Sequence, residues 1–169
     1  MKAIVYTSNT GSTEQYAKML AEKLKIPCYT LKTAYKQLSE QSEILYLGWI
    51  MAGKISGYRA ATKRYRILGV CAVSVVQNAD EDLRNYNRIP QKLPLFSLQG
   101  DFDLTKLHGV HRFVIKLVIM FMKNKAKKQQ GAYSDLLQIL INGKQGVDQK
   151  NLDSVLAFCD DKETDSVMA

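Results

Sequence analysis

Thr7-Ser8-Asn9-Thr10-Gly11-Ser12-Thr13 is the stretch whose reading decides the fold. It follows the apolar run Ala3-Ile4-Val5-Tyr6, which reads as a buried strand, and precedes residues 14–24, whose apolar positions recur at helical spacing. A strand, a short turn and a helix bring free backbone N–H groups to one point, where the helix dipole also favours negative charge. Five hydroxyl side chains among these seven residues add donors, and Gly11 lets the main chain turn closely around an oxyanion. The turn holds no lysine or arginine, and neither the Gly-Lys-Ser/Thr ending of a triphosphate loop nor GxGxxG occurs. A phosphate monoester held by neutral donors fits this composition. The plainer alternative is a hydroxyl-rich turn in which Ser12 and Gln15 form a capping box.

At Ser8, Asn9, Thr10, Gly11, Ser12 and Thr13 the chain resembles the flavodoxin family. That family's FMN-phosphate loop reads Ser/Thr-x-Thr-Gly-x-Thr directly after the first strand. Ser12 stands where asparagine is common in the family. The resemblance implies FMN as cofactor and these six residues as its phosphate site.

The 169 residues are most simply one domain, residues 1–169, large enough to bury a core. With 46% hydrophobic and 24% charged residues the composition is that of a globular chain. No cationic start followed by an apolar stretch and cleavage site appears, so the cytoplasm is the expected compartment. Cys28, Cys71 and Cys159 are odd in number, far apart and without a CxxC pair, and read as reduced, mostly buried thiols. His108 and His111 lack the partners that a metal site needs. The formal charge of +8 favours acidic partners or anionic surfaces, whereas flavodoxin carriers are typically acidic.

Further strands are expected over residues 28–31, 43–49, 70–76 and 93–100, and helices over 34–38 and 58–67, with a basic connector over 84–92. This alternation predicts an α/β fold: with the resemblance, a flavodoxin-like three-layer α/β/α sandwich whose five-stranded parallel sheet has the order 2-1-3-4-5. After the third strand, Trp49, Ile50, Met51, Ala52 and Gly53 join the only tryptophan to apolar residues where ligands bind in open α/β sheets. Taken alone, Trp49 reads as a core or edge aromatic. The resemblance implies that this segment borders the isoalloxazine ring, and that the Gly53 peptide can turn a carbonyl toward N5–H of a reduced flavin. It also implies that Val76, Gln77 and Asn78 close the second side of the ring. Gln77 and Asn78 offer hydrogen bonds to its pyrimidine edge.

Asp101 and Asp103 read as cap or connector residues. Phe113 to Met122 is apolar except for Lys116, and its ten residues fall short of the roughly 20 that cross a bilayer. Core packing is the first reading of this helix. Contact with an anionic membrane through Arg112, Lys116, Lys123, Lys125, Lys127 and Lys128, at the periphery of the inner membrane, is the second. Residues 100–122 also resemble the flavodoxin-like menaquinone-dependent protoporphyrinogen oxidases, which implies quinone as acceptor. Residues 133–141 read as a helix, and Asp148 as the cap of a last helix carrying Leu152, Val155, Leu156 and Phe158.

The leading expectation is an FMN-binding electron-transfer protein that exchanges electrons with a redox partner protein or a quinone. An FMN-dependent oxidoreductase of the quinone-using kind and a noncatalytic basic adaptor are the alternatives. Scattered Lys and Arg without an RNP-like aromatic motif or a recognition helix argue against nucleic acid.

Overall fold

Alternation along each strand sends side chains to opposite faces of a sheet, so a strand buried on both faces reads as a continuous apolar run. Three such runs form the centre of the molecule in a computed structural model, which describes residues 1–75, 79–101, 117, 119–120, 142–143 and 145–167. Strands β1 (Ala3–Thr7), β2 (Cys28–Thr30), β3 (Glu43–Met51), β5 (Arg66–Ser74) and β6 (Leu95–Gln99) pair in parallel in the order β2-β1-β3-β5-β6. This is the expected 2-1-3-4-5 order. A two-residue strand, β4 (Lys54–Ile55), is an addition and pairs antiparallel with β3.

Helix α1 (Ser12–Leu24) and α5 (Asp153–Val167), which follows a 3-10 turn at Gln149–Leu152, cover one face. Ile4, Leu45, Leu47, Cys71, Val73 and Leu98 meet Tyr16, Ala17, Leu20, Val155 and Cys159 there. Helices α2 (Leu31–Gln37), α3 (Tyr58–Ala61) and α4 (Asp80–Asn87) cover the other. Val5, Ile44, Tyr46, Val70 and Ala72 meet Ala34, Tyr58, Ala61 and Leu83 on that side. Each strand thus divides its apolar residues between two cores, which makes the three layers. The chain has the flavodoxin-like α/β fold.

Three expected elements differ from the observed ones. The helix over 58–67 stops at Ala61, although Tyr58, Ala61 and Tyr65 keep a helical spacing and all face the core. Pairing with β3 takes over, since Glu43 lies opposite Arg66 and Ile44 opposite Ile67. The connector expected over 84–92 begins as α4, whose first turn holds Asp80, Glu81 and Asp82, charges that suit the positive end of a helix dipole. The segment from Trp49, expected to leave the sheet, remains strand through Met51 and returns as β4.

Val76, Gln77 and Asn78 lie outside the described residues, as do His108, His111, Arg112, Lys116, Lys123, Lys125, Lys127, Lys128 and the expected helix over 133–141. Of the segment 113–122, Leu117, Ile119 and Met120 are described; they are helical, and Met120 is 52% exposed. No helix among the described residues is long and apolar enough to cross a membrane.

Candidate functional site

β1 ends at Thr7 and α1 begins at Ser12, so Ser8 to Gly11 turn at the carboxyl edge of the sheet, where doubly wound folds take ligands. Gly11 precedes the helix with φ 101° and lends it no side-chain cap. An added Cβ there would meet only Gln15 Nε2 at 3.9 Å, so conformation rather than crowding calls for glycine. The Ser12–Gln15 capping box is therefore not what starts α1. Ser8 Oγ accepts instead, from the Gly11 N–H at 3.2 Å and the Glu14 N–H at 3.4 Å, and folds the loop back on the first turn.

The N–H groups of Ser12 and Thr13, the first two of α1, carry no protein hydrogen bond among the described residues, and neither do the hydroxyls of Thr10 and Thr13. Asn9 is exposed and its side chain is likewise unspent. The Ser12 hydroxyl, like that of Ser8, is engaged. Its Oγ accepts the Asp101 N–H at 3.1 Å, which ties the start of α1 to the end of β6 and leaves the Ser12 hydroxyl proton to donate elsewhere. Glu14 is the one acidic group in the first turn, and Lys18 pairs with it at 2.7 Å, offsetting a charge that would oppose an anion.

A second set of contacts joins this loop to the hairpin made by β3 and β4. In the parallel register Thr7 lies beside Gly48, so Ser8 and Trp49 leave that pair at the same edge. The Ser56 carbonyl accepts from the Thr7 hydroxyl at 2.7 Å and the Tyr46 hydroxyl at 2.6 Å. Burial pushes the Tyr46 phenol well above the usual tyrosine range, so it remains a donor. Gly48 and Gly57 permit this crossing. A Cβ on Gly48 would stand 2.6 Å from Ile55 Cγ2 and 2.8 Å from the Ser56 carbonyl, and one on Gly57 would collide with the Tyr46 hydroxyl and Thr7 Cγ2.

In the hairpin itself, Met51 and Lys54 are paired and Ala52 and Gly53 form the two-residue turn, with φ 48° and 78°. Two positive φ values are what a type I′ hairpin turn requires. Ile50 packs into the core beside α2 to α4, whereas Trp49 and Met51 alternate to the face that Leu45 and Leu47 share with α1. Trp49 is half-buried and its carbonyl accepts the Ser56 N–H at 2.9 Å. The Gly53 carbonyl is engaged as well, accepting from Asn87 Nδ2 at 2.8 Å. The Tyr86 ring lies against the same turn, 3.6 Å from where a Gly53 Cβ would be, and is 50% exposed.

The sequence-predicted residues of the loop and of the hairpin thus share one edge of the sheet. Tyr46, Ser56, Gly57, Tyr86 and Asn87 were not singled out for this site. Their link to it is tertiary, and the one sequence signal was Gly57, four residues beyond Gly53. Among the described residues no group of His, Cys, Asp and Glu is arranged to hold a metal ion.

The strand order, the two helical layers and a hydroxyl-rich turn at the head of α1 define a doubly wound α/β domain with its open edge at the strands' carboxyl ends. A family model described as Flavodoxin domain matches residues 3–130, and the chain belongs to that family. No curated protein and no solved structure matches it.

Proposed function

We propose that the protein binds FMN at this edge and serves in electron transfer. The observation that carries the reading is the unspent donor set at the head of α1: the N–H groups of Ser12 and Thr13 together with the hydroxyls of Thr10 and Thr13. These groups fit a phosphate monoester, because a dianion needs several converging donors and gains from the helix dipole. Asn9 and the Ser12 hydroxyl proton extend the set.

Trp49, Met51, Ala52 and Gly53 would border the ring, with Ile50 supporting them from the core, and Val76, Gln77 and Asn78 would meet its other side. Bound FMN would supply the reversible uptake of electrons. The protein's part is to hold the phosphate, position the ring and set its electrostatic surroundings. The net charge of +8 favours the anionic reduced flavin relative to an acidic carrier and directs the protein toward an acidic redox partner or an anionic surface.

Titration with FMN and with riboflavin tests the assignment. Wild type takes up FMN, and Thr10→Ala/Thr13→Ala loses FMN affinity by at least about tenfold while riboflavin affinity holds, since riboflavin has no phosphate. Unchanged FMN binding by the double variant would remove the phosphate site from Thr10 and Thr13.

A further inference from the structure

Asn87 is the last residue of α4, 4% exposed, and all its polar atoms are spent on backbone. Its Oδ1 accepts the Ile55 N–H at 2.8 Å, and its Nδ2 donates to the Gly53 carbonyl at 2.8 Å and the Leu83 carbonyl at 2.9 Å. One planar amide therefore holds the β3–β4 hairpin at two points, within its turn and on β4 just past it, and anchors them to its own helix. A buried side-chain amide costs free energy unless its donors and acceptor are met, and here two backbone groups of the hairpin and one carbonyl of α4 meet them.

That arrangement fixes more than packing. With its carbonyl held by Asn87, Gly53 has its following peptide fixed on the α4 side, and the preceding peptide leaves the Ala52 carbonyl and the Gly53 N–H at the tip of the turn. Neither carries a hydrogen bond among the described residues. We propose that Asn87 is the positioning residue of the ring-side hairpin, setting which backbone groups of Ala52 and Gly53 face a bound isoalloxazine. The inference rests on the flavin reading above. Asn87 touches no ligand in this account. It acts by preorganisation, because a turn already held in its bound orientation does not lose that freedom on binding.

The predicted effect differs in kind from that of the phosphate loop. Asn87→Ala weakens FMN and riboflavin alike, each by about tenfold, because the loss lies on the ring side. Thr10→Ala/Thr13→Ala weakens FMN alone. Asn87→Asp adds a chemical signature. Its ionised carboxylate still accepts from Ile55 but faces the Gly53 and Leu83 carbonyls; once protonated it has an O–H to donate to Gly53. Flavin affinity of Asn87→Asp therefore recovers toward wild type as pH falls through the carboxyl titration, a trend that wild type lacks, and this reading stands where Asn87→Ala does not fold.

The clamp is also read without flavin, by amide hydrogen exchange at Ile55, which quickens in Asn87→Ala. Wild-type affinity for both flavins in a folded Asn87→Ala, or the absence of pH recovery in Asn87→Asp, overturns the inference while leaving the flavin reading intact. A wild type that takes up no flavin overturns both.

Discussion

The Thr7 hydroxyl donates to the Ser56 carbonyl at 2.7 Å, so the residue that opens the hydroxyl-rich loop is fastened to the residue that closes the β3–β4 hairpin. Tyr46 donates to the same oxygen from the core side, and the two hydroxyls lie 3.3 Å apart. A carbonyl with two lone pairs tolerates the loss of one donor better than the loss of both. Thr7→Val or Tyr46→Phe alone should cost about 1 kcal/mol each. Together they should cost more than their sum, by about 0.5–3 kcal/mol, since the Ser56 carbonyl is then buried without either hydroxyl. Urea unfolding of the four proteins measures the cycle, and strict additivity would show that the shared acceptor does not matter.

The same tyrosine gives the protein an alkaline limit. Burial raises the Tyr46 phenol above its ordinary value and outweighs the opposing hydrogen bond with Thr7; Tyr16 and Tyr58 are raised for the same reason. A raised pKa in the fold means that the neutral phenol is favoured there. The associated stability is complete below the unfolded value of about 10 and is lost as pH climbs from there toward the folded value. Stability should therefore fall between pH ~10 and ~11 more steeply in wild type than in Tyr46→Phe, although the variant starts lower. Urea midpoints across that range, read by far-UV circular dichroism, check the slopes.

The loop and the strand order were legible because both are local or periodic. Ala3 to Thr13 carries its strand, turn and helix start within eleven consecutive residues, and the apolar runs at Ile44 to Leu47 and Val70 to Val73 mark strands buried on two faces. The family resemblance then ordered them. The hairpin was less legible, because Trp49-Ile50-Met51 next to Ala52-Gly53 reads equally as a strand end or a loop. Its pairing with only two residues of β4 leaves no periodic trace. Helix α4 was hidden by its composition. Leu83 is buried, but its neighbour on the same face is Asn87, a polar residue whose burial makes sense only once Gly53 and Ile55 are in place.

Asp101 shows how tertiary context assigns a role that sequence left open between cap and connector. Its Oδ1 accepts the N–H groups of Gly146 at 2.7 Å and Val147 at 3.0 Å, while its own N–H serves Ser12. Beside it the Tyr16 hydroxyl donates to the Gln99 carbonyl at 2.6 Å and accepts from Asn151 Nδ2 at 2.6 Å. α1, the end of β6 and the approach to α5 therefore meet at one phenol. Tyr16→Phe should cost about 2–3 kcal/mol, because it leaves a carbonyl and part of an amide unpaired at a site with little access for water. Limited proteolysis should cut the variant sooner near residues 146–152 than in β1 or β3, and an even loss of resistance along the chain would contradict this local fastening.

Ala52 offers the opposite case, a position where the natural residue works against the local geometry. Its φ of 48° lies in the left-handed region, where a Cβ crowds the following carbonyl oxygen and costs about 1–2 kcal/mol. Asparagine tolerates that conformation, and Asn-Gly is a preferred pair for a type I′ turn, so Ala52→Asn should stabilise the fold by about 0.5–1 kcal/mol. For a domain of this size that is a rise of roughly 1–4 °C in Tm. The side chain is exposed, so no core contact is disturbed. If Ala52 faces a bound ring, the same substitution should weaken FMN and riboflavin equally while raising Tm without ligand. Thermal unfolding paired with the two titrations separates these effects. A gain in Tm with no change for either flavin would place the ring away from this side chain.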